Sequence, residues 1–310
     1  MSAKIAFVFP GQGSQSIGML AELGAQHAVV TNTFAEASEV LGYDLWELVQ
    51  LDEHNQLSQT HITQPALVAA SVSLWRLWLQ QGGATPSLLA GHSLGEYSAL
   101  VCSGALDFAD AIRLVEARGR FMQVAVPAGE GAMAAIIGLD NDVVAGVCKA
   151  SAEDQVVVPV NYNAPGQVVI AGSKPAVERA MVACKESGAR AVMPLPVSVP
   201  SHCELMLPAA EQLRVLLEST KVVMPTIPVV QNVDGKVAGS VNAIVSKLVT
   251  HLIEPVLWTQ CVESIAASGI DLVIECGPGK VLNGLSKRIN KTLQTASINN
   301  AALLAATLEQ

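Results

Sequence analysis

Residues 87–102 constrain this chain more than any other stretch. Ser87–Ala90 reads as a short buried strand, Gly91-His92-Ser93-Leu94-Gly95 follows at once, and a helical stretch continues to about Cys102. A strand that becomes a helix within five residues leaves no room for a side chain at either end of the turn, and glycine stands at both 91 and 95. Ser93 at the tip then carries an exposed hydroxyl, with the first free N–H groups of a helix aimed at the same point. G-x-S-x-G between strand and helix is the nucleophile elbow, in which the amide of Leu94 is placed to hold an oxyanion. The five-letter pattern also occurs by chance in Gly- and Ser-rich loops, and the flanking elements favour the functional reading.

The rest of the chain alternates in the same manner. Residues 4–9 read as a buried strand stopped by Pro10-Gly11. Residues 66–79 carry helical spacing with Thr63-Gln64-Pro65 as a start, and 107–123 form a helix capped by Asp107, with Asp110 three residues later. Between 130 and 198 the order becomes strand 131–139, helix 142–150, strands 155–161 and 167–172, helix 175–187 and strand 189–197. That β-α-β-β-α-β order is ferredoxin-like and can close its own sheet. Beyond it come a helix at 202–219, a strand at 228–231, helices within 243–252 and at 258–268, and strands at 272–275 and 293–297. The expected fold class is α/β. A mostly parallel sheet covered by helices is built from 1–129 and 199–310, with 130–198 inserted as a small ferredoxin-like subdomain.

Composition narrows the function classes. The chain is 51% hydrophobic with mean hydropathy +0.41, yet no apolar run reaches the roughly 18 residues of a membrane span. The excess is Ala and Val in short segments, as in strands buried on both faces. A net charge of −9 argues against nucleic acid as the main partner. The start at Met1-Ser2-Ala3-Lys4 lacks a signal-peptide layout, and the six cysteines show neither CxxC pairs nor metal-ligand spacing. A cytoplasmic protein with reduced thiols and no metal is the expectation.

A serine nucleophile needs a base, and six histidines are available: 27, 54, 61, 92, 202 and 251. His61 and His92 flank candidate site segments by position alone, whereas Ser201-His202-Cys203-Glu204 fits the capping box S-x-x-E and puts His202 in the first turn of a helix. The positive end of a helix keeps an imidazole neutral and able to accept a proton. A histidine that merely fills a helix start fits the same pattern. Arg118 falls on the apolar face marked by Leu114 and Phe121 and needs a carboxylate or a wet cavity. A substrate carboxylate and an internal Asp or Glu both answer that need.

Seven motifs then stand in one order: FPGQGSQ (Phe9–Gln15), TQPAL (Thr63–Leu67), GHSLGEYSAL (Gly91–Leu100), RGRFMQ (Arg118–Gln123), NAPGQVVIAG (Asn163–Gly172), VPSHC (Val199–Cys203) and ECGPGKVL (Glu275–Leu282). Together they resemble the malonyl-CoA:acyl carrier protein transacylases of bacterial type II fatty-acid synthesis, from the first strand almost to the C-terminus. The resemblance implies a hydrolase-like core with the small subdomain inserted, Ser93 as nucleophile and His202 as its base. It implies an oxyanion hole from the amides of Gln12 and Leu94, and Arg118 as the clamp on a malonyl carboxylate. His92, Asn163 and His251 are counted with Arg118 as substrate-binding. His202's partner in such enzymes is a backbone carbonyl, near His251 here, where the family more often has glutamine. Ser201 also differs from the phenylalanine usual in the acyltransferase domains of modular polyketide synthases.

The partners implied are malonyl-CoA, as a substrate rather than a cofactor, and an acidic holo acyl carrier protein. Arg190, Lys280, Lys287 and Arg288 are candidates for docking the carrier, and a monomer is the default. Three rival readings remain: a serine esterase or thioesterase, a non-catalytic carrier-docking protein, and a malonyl transferase serving a polyketide pathway.

Overall fold

The computed structural model describes residues 4–197 and 199–309; Met1, Ser2, Ala3, Ser198 and Gln310 lie outside it, and with them the ends of the segments expected above. The chain runs β1 (Ile5–Phe9), α1 (Ala21–Gln26), α2 (Ala28–Leu41), α3 (Leu45–Leu51), α4 (Thr60–Gln80), β2 (Leu88–Gly91), α5 (Gly95–Cys102) and α6 (Phe108–Ala125). There follow β3 (Gly131–Ile137), α7 (Asn141–Ala152), β4 (Val157–Ala164), β5 (Gln167–Ser173), α8 (Lys174–Glu186) and β6 (Ala191–Pro194). The remainder is α9 (Leu207–Glu218), β7 (Val229–Gln231), β8 (Lys236–Val237), α10 (Val241–Thr250), α11 (Trp258–Ala267), β9 (Leu272–Glu275), α12 (Val281–Ile289), β10 (Gln294–Ser297) and α13 (Ala301–Leu308).

The large sheet has the order β10-β9-β1-β2-β7-β8, parallel except for the short antiparallel β8. Strand β1 shows why both faces are covered. Phe7 and Phe9 enter one core, where Phe7 meets Trp75 and Trp78 of α4 edge-on, while Ala6 and Val8 enter a second core built on Trp258, Cys261 and Val262 of α11. Strands without a polar face need helices on both sides. Phe9 pairs with Gly91, so the loops that leave the C-terminal ends of β1 and β2 emerge side by side. Ligand crevices in open α/β sheets form at such ends.

The small sheet is antiparallel, in the order β4-β5-β3-β6, the ferredoxin-like arrangement. Helices α7 and α8 cover one face of it. The other face packs on Cys203 through Met133, Ala135, Val160, Val169 and Ala171. Along the β4 side it is fastened to the core, because Val256 N–H donates to the Val160 carbonyl (2.8 Å) and Tyr162 N–H donates to the Val256 carbonyl (2.9 Å).

Several boundaries depart from the sequence reading. α4 begins at Thr60 and carries Pro65 inside it, so Thr63-Gln64-Pro65 is not its start. Strand β6 covers only Ala191–Pro194 of the expected 189–197, and α9 begins at Leu207 rather than His202. Helices α1 to α3, α12 and α13 were not anticipated. Among the described residues, no helix is long and apolar enough to cross a membrane.

Candidate active site

The turn between β2 and α5 has the tightness expected of it. A Cβ on Gly91 would sit 1.9 Å from the Gly95 carbonyl carbon, and one on Gly95 would sit 2.1 Å from the Phe9 oxygen. Ser93 is held at φ 51°, a left-handed conformation that costs a serine on the order of 1–3 kcal/mol and persists only when its surroundings impose it. Its N–H donates to Asn232 Oδ1 (2.7 Å), so that amide is occupied. The amides of Leu94 and Gln12, by contrast, donate to no protein group among the described residues. Gln12 is carried on the loop that leaves β1 beside the elbow, and its side chain reaches Thr60 Oγ1 at 3.4 Å.

The Ser93 hydroxyl meets His202 Nε2 at 2.7 Å, and His202 Nδ1 meets the His251 carbonyl oxygen at 2.6 Å. A carbonyl can only accept, so Nδ1 carries the proton and Nε2 is free to take one from the serine. Burial holds the imidazole down at about 3, with the Arg118 guanidinium adding to the effect, so the ring is neutral. The sequence reading of a helix N-terminus as the cause does not hold. His202 lies at φ 65°, ahead of a 3₁₀ turn at Glu204–Met206, and Cys203 rather than Ser201 occupies the capping position. Of six non-glycine residues at positive φ among those described, two are Ser93 and His202.

Arg118 is 1% exposed. Its Nη1 donates to Gln64 Oε1 (2.7 Å), while Nε and Nη2 have no protein partner among the described residues and no carboxylate is within ion-pair distance. The internal Asp or Glu that would have made this a structural pair is absent there. Burial pulls the guanidinium below its usual range, opposed by Tyr97 and the Glu96 carboxyl. A buried cation with two unsatisfied nitrogens is expensive unless a ligand anion completes it.

The acyl transferase domain family matches residues 6–309. The malonyl CoA-acyl carrier protein transacylase of Salmonella typhimurium is 60% identical over 307 residues, 99% of each chain, and that of Bacillus subtilis 44% identical over 96% of this chain and 94% of its own. Among solved structures, a type II PKS acyl-carrier protein in complex with its malonyl-transacylase matches with a TM-score of 0.98 at 58% identity, covering 99% of both chains. The acyl carrier protein S-malonyltransferase of Vibrio cholerae matches with a TM-score of 0.95 at 58% identity, covering 98% of this chain and 99% of its own.

The chain belongs to the malonyl CoA-acyl carrier protein transacylases.

In this transacylase the remaining residues singled out from the sequence fall into two groups. His92 and Asn163 join across the cleft, His92 Nε2 donating to Asn163 Oδ1 (2.8 Å), with the His92 ring edge-on to Trp258. Burial lowers the His92 pKa. His251 lies beside His202, ring centroids 4.7 Å apart, with its own Nδ1 3.7 Å from Glu96 Oε2. That approach is no ion pair, because burial keeps the His251 imidazole neutral and pushes Glu96 up to about 7. His61 bonds instead to Gln123 Oε1 (3.0 Å) away from Ser93.

Arg190, Lys280, Lys287 and Arg288 are all exposed and touch none of these groups. Two of them gather at the tip of the β4–β5 hairpin. Arg288 Nη1 donates to Gln167 Oε1, and Arg190 packs against Gly138, which neighbours Gly166. Among the described residues no three His, Cys, Asp or Glu side chains gather as a metal site.

Sequence reasoning overlooked Gln64, Glu96 and Asn232 as parts of the site. Gln64 and Glu96 stand inside two of the quoted motifs, where both were visible without a role. Asn232 follows strand β7 with no local signal beyond its place at a strand's C-terminal end.

Proposed function

We propose that this chain moves a malonyl group from malonyl-CoA onto Ser93 Oγ and from there to the phosphopantetheine thiol of an acyl carrier protein. The observation that carries the reading is Arg118, a buried guanidinium whose Nε and Nη2 have no protein partner among the described residues, in the site that holds Ser93 and His202. In the first half-reaction Nε2 of His202 takes the serine proton as Oγ attacks the thioester carbon. The amides of Leu94 and Gln12 bear the oxyanion, and the CoA thiolate leaves with the proton from His202. In the second, the carrier thiol gives its proton to His202 and attacks the serine ester, and Ser93 Oγ leaves with that proton from His202. Arg118 binds the malonyl carboxylate in both halves, and His92, Asn163 and His251 shape the surrounding pocket. No metal or redox cofactor takes part.

Residues 1–129 and 199–310 form the core and 130–198 the small subdomain in this reading. A monomer is taken as the working unit. Six free, buried cysteines suit a reducing cytoplasm. The carrier docks at the hairpin tip, with Arg190 and Arg288 together, Lys280 just ahead of α12 and Lys287 on it. Charge reversal at Lys287 and Arg288 is expected to slow the carrier half-reaction while sparing loading from CoA. Fatty-acid synthesis is the pathway of first choice. The solved relative seated on a type II PKS carrier supports a polyketide carrier as the second reading.

Intact mass recorded within seconds of mixing with malonyl-CoA tests the proposal. One added malonyl group, absent in Ser93→Ala, weak with acetyl-CoA and discharged by holo carrier protein, is the expected result. Rapid CoA release with neither adduct nor carrier transfer would make the protein a thioesterase, and no reaction at all would leave a docking protein.

A further inference from the structure

The elbow is held from behind by a buried polar assembly that the transfer chemistry does not use. Asn232 is 0% exposed and its amide spans both ends of the turn: Nδ2 donates to the Gly91 carbonyl (2.7 Å), and Oδ1 accepts from the Ser93 N–H (2.7 Å). Asn232 is itself fixed through its main chain. Its N–H donates to Glu96 Oε2 (3.0 Å), and its carbonyl accepts from Leu257 N–H (2.9 Å). The other Glu96 oxygen accepts from Gln231 Nε2 (3.0 Å). Glu96 lies three residues beyond Ser93, on the first turn of α5, so the bonds close a ring: elbow, Asn232, Glu96 and back to the elbow.

We propose that Asn232 and Glu96 are a positioning pair for the nucleophile, Asn232 clamping Ser93 in its left-handed conformation and Glu96 orienting Asn232. The proposal rests on the reading of Ser93 as the acylated residue. Two physical consequences follow. The strained φ of Ser93 is imposed by the clamp rather than by the turn alone. The clamp also withdraws the Ser93 N–H from the oxyanion hole, leaving the amides of Leu94 and Gln12 as the donors that face the reacting carbonyl. A small displacement of preorganised donors weakens the transition state far more than substrate binding.

The test measures the rate of malonyl-Ser93 formation by rapid-quench mass spectrometry, with KM for malonyl-CoA and the melting temperature followed in parallel. Asn232→Ala is expected to slow acylation by about 100-fold with KM within about 3-fold of the parent, the pattern of lost transition-state geometry. Glu96→Gln should slow it by about 10-fold. The double variant should be no slower than Asn232→Ala alone, since Glu96 acts through Asn232. Asn232→Asp is isosteric and guards against a misfolded alanine variant. It keeps an acceptor for Ser93 N–H but loses the donor to Gly91, and is expected to fall by about 10-fold. Multiplying effects in the double variant, or acylation at the parental rate in Asn232→Asp, would overturn the proposal. A parent chain that takes no malonyl group at all would instead overturn the functional reading beneath it.

Discussion

Ser93 and His202 meet across 2.7 Å, but the chain arrives at the two positions by opposite routes. The Ser93 elbow is drawn by its immediate neighbours: two glycines that admit no Cβ, a strand before and a helix after. The segment around His202 has no comparable local rule. Pro200 leans on Gly131 of the small sheet, Cys203 is buried in that sheet's inner face, and Nδ1 is fixed by a carbonyl 49 residues away. The turn that carries Ser93 can thus be written into five consecutive residues, whereas the place of His202 exists only once both sheets are assembled.

That contrast can be broken from either side. The largest effect is expected from His202→Ala, which leaves the elbow untouched and should lower the rate of Ser93 acylation by roughly 10⁴-fold. Acylation within tenfold of the parent would remove His202 from the role of base. Next comes Gly95→Ala, whose added carbon would run into the Phe9–Pro10 backbone, 2.1 Å from the Phe9 oxygen. A loss of about 4 kcal/mol or more in unfolding free energy, read by urea denaturation, is expected. A variant that melts with the parent would show that the turn is not encoded by sterics.

Arg118→Ala acts on the long-range half of the site. Malonyl loading should fall by about 50-fold against acetyl loading, the equivalent of roughly 2–3 kcal/mol for a charge-assisted pair. An unchanged ratio in competition between the two thioesters would show that the guanidinium does not hold the carboxylate.

The smallest effect belongs to His251→Gln. Turnover should stay within about threefold, because only the backbone carbonyl serves His202. Stability sharpens the point. Burial sets the folded pKa of His251 well below the ordinary imidazole value of 6.5, so its contribution is complete above that pH and is lost as pH falls below it. Glu96 works the other way: its carboxyl is raised to about 7, so its contribution is largest at low pH and fades as pH rises through 7. His251→Gln should therefore narrow the loss of stability between pH 7.5 and 5.5 by about 1 kcal/mol, measured as melting temperature against pH. An unaltered acid dependence would mean that the ring takes up a proton without penalty in the folded chain.

What the sequence disclosed follows the same division. Strand β1, the elbow and the β-α-β-β-α-β order were legible because each is a short-range pattern: an apolar run, a pair of glycines, a change of period. The segment 21–51 was not, although Asp44 caps α3 by accepting from Glu47 N–H, since α1 has only six residues and no side-chain cap. His202 was marked as a base for the wrong physical reason, its neutrality coming from burial and Arg118 rather than a helix end. Leu94 followed from the elbow pattern itself and Gln12 from the family resemblance, whereas Asn232, which reaches across 139 residues to Ser93, left no signal beyond its place after a strand.

One arrangement reaches past chemistry. The small sheet is sewn to the core along β4, while the residue after the His202 imidazole is gripped by that sheet and the imidazole's own anchor, the His251 carbonyl, belongs to the core. The ring is therefore suspended between two bodies instead of mounted on one. Its 2.7 Å contact with Ser93 depends on both sheets keeping their places.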